Sequence, residues 1–217
     1  MLKPSSATMK RGLLITLLFF AVSASAQKTF SEGTITFDVL TIMEGKQIEG
    51  LTTCIQMVKG AHYRSDLISG IGKTSTIFDT REGAGAVIRD FGSQKIMTPL
   101  SRENWKEINK KFADLTYEIG SDTITLLGYS CSKATASLAG GTTIAVYFTR
   151  SLVPDNAEMF VQLGHLPGIV LGYSATTINS TVTYTAKSLS FDPVQIQKFD
   201  IPAVGYRIMG YEESKRK

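Results

Sequence analysis

Apolar and polar residues alternate along most of the chain from Gly33 onwards, in short segments bounded by glycine-containing turns. In residues 34–42, polar side chains separate the apolar residues Ile35, Phe37 and Val39, which is typical of a strand with one buried face. The same pattern predicts strands over residues 51–59, 62–67, 74–79, 84–89, 95–97, 116–119, 123–127, 131–137, 142–149, 168–174, 181–190 and 206–211. In the N-terminal half no connection is long enough for a parallel crossover helix, so the strands are expected to form an antiparallel meander.

One segment has helical periodicity instead. Residues 101–112 place Trp105, Ile108 and Phe112 at spacing i, i+3 and i+7, which puts all three on one face of a helix. Ser101 can cap the first turn, and the acidic residues come early and the basic ones late, as the helix dipole favours. The predicted fold class is therefore α+β: a single large, curved antiparallel sheet that carries one amphipathic helix.

The N-terminal residues 1–26 have the order of a secretory signal peptide. Basic residues come first, an apolar run over 13–22 follows, and the small residues 24–26 precede Gln27. The apolar run is too short to span a bilayer, and Gln27 offers no thiol for a lipid anchor. The sequence thus predicts a signal peptide at 1–26 and a single β-rich domain at 27–217. That domain would be periplasmic or secreted, with no transmembrane anchor after cleavage.

Composition changes little in this picture. The whole chain has a net charge of +4, but removal of the leader leaves 20 basic and 19 acidic residues, a net charge of +1. A domain so close to neutral gives no electrostatic argument for nucleic acid or for an anionic membrane surface as a partner.

Two cysteines, Cys54 and Cys131, remain after cleavage. In an oxidising compartment they could form one disulfide, which would close a long loop and add a few kcal/mol of stability. They could equally be two separate buried thiols that behave as small apolar residues. Their wide separation excludes a Cys-x-x-Cys redox unit, and the sequence leaves the two alternatives open.

No motif in the sequence supports catalysis. Residues 70–74 end like a phosphate-binding loop, but the required first glycine is replaced by Leu67. Residues 128–132 resemble a nucleophile elbow, but Ser132 stands where glycine is needed. His62 and His165 have no partner at metal-ligand spacing. The sequence therefore predicts a protein that is not an enzyme and has no cofactor or metal.

One short motif suggests a modification. Thr123 lies between Asp122 and Ile124, a sequence similar to the Asp-Thr-aliphatic motif that some Bacteroidetes use for O-glycosylation. Thr123 is therefore a candidate glycosylation site.

Three segments carry a family resemblance: residues 127–134, 146–154 and 164–171. Their order and spacing are similar to those in the GLPGLI family of exported Bacteroidetes proteins, or in a neighbouring family. The signature motif is represented by Gly164, Leu166, Pro167, Gly168 and Ile169, with His165 inserted. The resemblance implies a lipoprotein-carrier-like fold, in which a curved antiparallel half-barrel is covered by helices. The family has no assigned activity to transfer.

The centre of this motif has a structural explanation. Pro167 fixes φ and Gly168 can adopt a positive φ, so the pair is expected to make a tight turn into the strand that follows. We favour this role over ligand recognition, because a turn needs backbone geometry alone.

The leading hypothesis for function is an exported envelope protein that binds an apolar ligand, a lipid or acyl chain, on the concave face of its sheet. The basis is fold analogy together with a supply of apolar side chains, and Met57, Met97 and Phe148 are candidate lining residues or core residues. The alternative is a non-enzymatic interaction or scaffold protein of the envelope or of a secreted complex. A hydrolase with dispersed catalytic residues is the third hypothesis.

The leader gives the first testable prediction. Cleavage after Ala26 should leave Gln27 as the mature N-terminus, because the small-residue site follows directly on the apolar run. Intact-mass analysis of protein recovered from its host checks this. A retained leader would contradict it and would revive a membrane-anchored form.

Overall fold

The computed structural model describes residues 27–113, 115–138, 140–156, 158 and 166–216. The predicted signal peptide and Gly164 of the family-like motif lie outside the described residues. The strands are β1 (Lys28–Phe30), β2 (Glu32–Met43), β3 (Lys46–Gln47), β4 (Thr52–Lys59), β5 (His62–Ser69), β6 (Gly72–Asp79), β7 (Ala84–Phe91), β8 (Gln94–Ser101), β9 (Glu118–Leu126), β10 (Tyr129–Ser137), β11 (Thr143–Thr149), β12 (Leu152–Pro154), β13 (Ile169–Thr176), β14 (Ser180–Ser190) and β15 (Arg207–Ile208). The helices are α1 (Arg102–Ala113), α2 (Tyr211–Ser214) and a short 3-10 helix (Ile196–Phe199).

Thirteen of the described strands form one open sheet in the order β15-β8-β7-β6-β5-β4-β2-β14-β13-β11-β10-β9, with β3 added to β2. Strands β4 to β8 follow one another as an antiparallel meander. Strand β2 lies between β4 and β14 and so joins the N-terminal and C-terminal parts of the sheet. Strands β15 and β9 are the two ends of this order. Every predicted strand overlaps an observed one, so the β-rich part of the prediction is confirmed.

The prediction of a purely antiparallel sheet is wrong, because the sheet is mixed. Strand β15 pairs in parallel with β8, through Arg207 with Ile96 and Ile208 with Met97. A separate two-stranded sheet pairs β1 with β12, also in parallel. The sequence argument applies to connections between consecutive strands, and it does not cover pairing between distant ones. Strands β1 and β15 instead pair with strands that are distant in the sequence, and these pairings involve only three and two residues.

The alternation predicted for residues 34–42 is present in β2. Its side chains alternate between buried and more exposed positions, and Ile35 and Phe37 are each only 1% exposed. Pairing places Phe37 opposite Cys54 of β4 and Ala186 of β14, so these three side chains lie on the same face of the sheet. They belong to the largest apolar core, and this face also receives helix α1.

Helix α1 confirms the predicted amphipathic helix, and it begins one residue later than expected. Ser101 and Asn104 close its first turn reciprocally: the Asn104 amide donates to Ser101 Oγ at 3.3 Å, and the Ser101 amide donates to Asn104 Oδ1 at 3.0 Å. Trp105 is buried and stacks on Phe78 of β6, with ring centroids 4.4 Å apart and planes within 8°. Ile108 and Phe112, further along the same face, are half-buried.

The opposite face of the sheet has a core of its own. Met57 and Met97 pack there against Val194 and Phe199, which come from the segment after β14. The Val194 amide donates to the Glu32 carboxylate at 2.7 Å and so holds this segment in place. Both methionines are covered core residues, as is Phe148 in a third cluster, so none of the three is an open lining residue.

No helix within the described ranges is both long and apolar enough to cross a membrane.

The packing of Trp105 gives the second prediction. Trp105→Ala should lower the free energy of unfolding by about 3–5 kcal/mol, because it removes a buried ring from the contact between α1 and the sheet. Trp105→Phe, which keeps a ring on Phe78, should cost clearly less. Urea denaturation of both variants measures this. Equal midpoints for Trp105→Ala and the unchanged protein would mean that the stack contributes nothing.

Candidate functional site

A cavity of about 660 Å³ lies beside helix α1. Its walls combine Phe78 and Trp105 with polar and charged side chains of α1. The α1 side chains with polar or charged ends are Arg102, Lys106, Glu107, Asn109 and Lys110. The exposed wall is mostly apolar. A volume of this size lies within the range of small-molecule binding sites.

The stacked rings form the apolar part of this cavity. Trp105 lies on Phe78 and is 6.0 Å from the ring of Tyr63, so three aromatic side chains support one another where the helix meets the sheet. The contact is made near the start of the helix, by the fourth of its twelve residues. A second groove of about 570 Å³ lies further along the helix, between Ile108 and Lys111 of the helix and Leu138.

Two buried polar atoms in the cavity residues have no hydrogen-bond partner among the described residues: Trp105 Nε1 and Asn109 Oδ1. Asn109 is only 2% exposed, and its amide nitrogen donates to the Trp105 carbonyl oxygen at 2.8 Å. An unpaired buried polar group costs about 1–3 kcal/mol. The helix is therefore not optimised for stability at this point.

The basic residues of the cavity divide into two kinds. Arg102 is used structurally, since its guanidinium donates to the carbonyl oxygens of Thr80 at 2.9 Å and Arg81 at 2.8 Å. Lys106 and Lys110 are exposed and lie one helical turn apart. Neither forms an ion pair with a carboxylate in the described part of the chain, whereas Glu107 between them pairs with Lys215 at 2.7 Å. The cavity lining thus includes the ammonium groups of Lys106 and Lys110, together with one further carboxylate, that of Glu158.

Buried hydroxyl and thiol groups form a second cluster, inside the main core. Tyr173 and Tyr184 stack with ring centroids 4.2 Å apart, and each ring is 6.4 Å from Phe37. Cys54 Sγ is 3.5 Å from Ser65 Oγ. Burial raises the pKa of Tyr173, Tyr184 and Cys54, so these groups stay protonated at neutral pH. A protonated thiol or phenol is a poor nucleophile and a poor base.

The two cysteines are separate buried thiols, so the disulfide that the sequence left open is not formed in this structure. The physical reason is their placement. Cys54 is on β4 and Cys131 on β10, five strand spacings apart in the sheet order. Cys131 Sγ instead donates to the Tyr129 carbonyl oxygen at 3.5 Å, and burial raises its pKa as well.

Gly168 of the family-like motif does not have the positive φ that the sequence predicts. It is needed for another reason: a Cβ on Gly168 would lie 2.0 Å from the carbonyl oxygen of Thr149. Pro167 is exposed and Leu166 half-buried, whereas Ile169 is buried in the main core at the start of β13. The described part of the motif thus has a structural role in bringing two backbone segments together.

The remaining candidate residues do not line the cavity. Thr123 is exposed on β9, where it is accessible for the glycosylation that its motif predicts. His62 Nδ1 is 3.0 Å from Asp79 Oδ2, a pair that sequence spacing missed because antiparallel pairing of β5 with β6 creates it. Asp79 also accepts from the amides of Arg81 and Glu82, so it closes a turn. Within the described residues, no three metal-ligating side chains come together.

Comparison with known proteins adds distant similarities. No family model matches the sequence, so the resemblance to the GLPGLI family is not confirmed, and no curated protein matches it either. Similar solved structures include PNGF-II, with 14% identity and a TM-score of 0.47 over 85% of this chain and 32% of that one. An uncharacterized conserved protein from Thermus thermophilus has 10% identity and a TM-score of 0.48, over 82% of this chain and 90% of that one.

A third similar structure is the Mycobacterium tuberculosis lipoprotein LppX, with 11% identity and a TM-score of 0.29 over 74% of this chain and 88% of that one. This chain spans about a third of the length of PNGF-II. At these TM-scores the similarities are remote, and no activity follows from them.

The close approach at Gly168 gives a prediction. Gly168→Ala should lower the free energy of unfolding by at least about 1–3 kcal/mol, because the Cβ of the alanine would force the Thr149 backbone away. The matched control is Gly70→Ala, where a Cβ meets open space. Denaturant midpoints of the two variants are compared. A Gly168→Ala protein as stable as the control would assign the motif to recognition.

The buried tyrosines give a prediction about pH. Tyr63 is 2% exposed and burial raises its pKa, whereas in the unfolded chain it ionises near the ordinary value of 10.0. Above that pH the unfolded state releases the proton and the folded state keeps it, so stability falls as pH rises. The slope should approach about 1.4 kcal/mol per pH unit for each such tyrosine. Tyr63→Phe should flatten the decline in denaturant titrations between about pH 8 and pH 11. An equally steep decline would show that Tyr63 ionises in the fold.

Proposed function

We propose that the protein is an exported, non-enzymatic envelope protein whose single domain, residues 27–217, binds a lipid or acyl chain in the cavity beside α1. The observation that carries this proposal is the cavity of about 660 Å³, which has stacked aromatic rings in its wall and, in its lining, two ammonium groups without an ion pair among the described residues. The proposed site therefore differs from the sequence hypothesis: it lies beside helix α1 rather than on the face of the sheet alone.

Both parts of an amphiphile find a partner in this cavity. Each methylene group removed from water on Phe78 and Trp105 contributes about 0.8 kcal/mol, so an acyl chain supplies the binding energy. Lys106 and Lys110 offer their charges to a carboxylate or phosphate head group at the rim, where it stays hydrated. Because Glu107 is paired with Lys215, these two ammonium groups outnumber the remaining carboxylate of the lining, that of Glu158, and an anionic amphiphile fits better than a neutral hydrocarbon or a small polar metabolite.

The absence of enzymatic activity is also part of the proposal. Burial keeps the thiols of Cys54 and Cys131 protonated, which makes them weak nucleophiles. The His62–Asp79 pair, the best arranged acid–base pair among the described residues, is tied into a turn by the Asp79 carboxylate. None of these groups belongs to the cavity residues.

Trp105 is the single tryptophan of the chain and lies in the cavity wall, so its fluorescence tests the proposal directly. A brominated fatty acid should quench Trp105 with saturation, and the unbrominated acid should reverse the quenching by competition. Native mass spectrometry of protein recovered from its host should show a co-purified lipid. Absence of both quenching and a bound lipid would exclude this function.

The lysines provide the matched control. Lys106→Ser with Lys110→Ser should weaken binding of the acid several-fold and leave binding of a neutral brominated ester unchanged. Lys46→Ser, on the distant strand β3, should change neither. If Lys46→Ser and the double variant weaken binding equally, the rim lysines do not hold the head group.

A second candidate function, an interaction or scaffold protein of the envelope, is favoured by the edge strand β9. Nearly all residues of β9 are exposed, and β10 is its partner on one side in the described sheet. Such an edge can accept a strand from another protein. A protein partner in place of a lipid in the native mass spectrum would favour this function.

A further inference from the structure

Three of the most exposed large apolar residues of the described chain lie on loops at one end of the sheet. Leu51 is 92% exposed, Ile71 80% and Ile178 96%. Leu51 directly precedes β4, Ile71 connects β5 to β6, and Ile178 connects β13 to β14. We call these three residues the apolar tips.

The strand pairing places the apolar tips at the same end of the sheet, with Ile178 further along the strand direction than Leu51, because Ser180 pairs with Met43 whereas Thr52 pairs with Val39. Strands β6, β5, β4, β2, β14 and β13 are consecutive neighbours in the sheet, and their connections at this end carry the tips. The Glu44 amide donates to the Asn179 carbonyl oxygen at 2.8 Å, which ties the loop before β4 to the loop that carries Ile178. At ordinary strand spacing, Ile71 and Ile178 are roughly 20 Å apart across the strands, and the offset along the strands adds to this separation.

More apolar surface surrounds the tips. Met43, at the end of β2, is 51% exposed, and Ile48, in the loop that leads to Leu51, is 49% exposed. A soluble domain seldom places so many aliphatic side chains on neighbouring loops without a use for them, because each one costs free energy in water.

The charged residues near the apolar tips indicate whether the partner surface needs to be anionic. The loop between β2 and β4 has two carboxylates, Glu44 and Glu49, and one ammonium group, Lys46. The nearby cations Lys73 and Lys95 are paired with Asp66 at 3.9 Å and Asp90 at 3.3 Å. This end therefore has no excess of positive charge, and an anionic surface has no electrostatic advantage over a neutral one.

We infer that the apolar tips insert into the interface of a lipid bilayer and dock the protein on a membrane surface that need not be anionic. Separate tips on separate loops suit a deformable lipid surface, which can accept each side chain independently. A protein partner would need a continuous packed patch of about 800 Å² on this side, and polar loop residues interrupt the row. This inference concerns another surface than the cavity and holds whether or not the cavity takes a lipid.

The test is co-sedimentation of the full chain with vesicles of zwitterionic phosphatidylcholine. Binding should be equal at about 0.1 M and about 1 M salt, although screening lengths differ threefold between them. The triple variant Leu51→Ser, Ile71→Ser, Ile178→Ser should lose binding, by about tenfold for each tip. Because these side chains are exposed, the unfolding midpoint should not fall.

The control replaces exposed isoleucines elsewhere in the sheet. Ile119→Ser with Ile208→Ser, at positions 47% and 56% exposed on β9 and β15, should bind vesicles as the unchanged protein does. Three results would overturn the inference: no binding by the unchanged protein, binding that requires anionic lipid and disappears in high salt, or a triple variant that binds normally. Normal binding by the triple variant would mean that another segment, such as the apolar run of residues 13–22, holds the protein on the vesicle. Self-association that the triple variant abolishes would also overturn it, because the occupant would then be a second copy of the chain.

Discussion

The stack of Trp105 on Phe78 holds helix α1 against the sheet, and the shape of the candidate site depends on it. The helix follows β8 directly, so its start is fixed by the chain and by the two hydrogen bonds from Arg102. Beyond that point one large ring provides most of the contact, since Ile108 and Phe112 are half-buried. Two grooves lie along this helix, and the candidate site is the one that includes Trp105.

This support is incomplete in a way that stability alone does not explain. Trp105 Nε1 and Asn109 Oδ1 are buried without partners, and replacement of such groups by apolar ones of similar shape is commonly neutral or stabilising. Proteins retain such costs mainly where function requires them. The unpaired atoms belong to the two helix residues whose side chains combine burial with a place in the cavity wall. Thr98 Oγ1 and Tyr117 Oη are buried without a described partner as well and lie outside the cavity lining, so such atoms are not confined to the proposed site.

The parts of the fold that the sequence predicted are those set by neighbouring residues. The stripe formed by Trp105, Ile108 and Phe112 has helical period, and the alternation in β2 has period two, so both elements were found. The parallel pairs of β15 and β1 were missed because they join residues far apart in the chain. The same holds for His62 with Asp79 and for the clash that requires glycine at position 168, since each depends on a neighbour that only the folded sheet supplies.

Hydrophobic contact through three tips has a consequence for how the protein would work at a membrane. Full burial of one aliphatic side chain is worth about 1.5–3 kcal/mol, and part of this is lost to the ordering of the loops and of the protein itself. The net affinity falls in the range of a single acyl anchor, which binds membranes reversibly. Residues 27–217 have a net charge of +1, which adds no long-range attraction. Such a protein would leave a membrane as readily as it docks, which is the behaviour that a carrier of an apolar ligand requires.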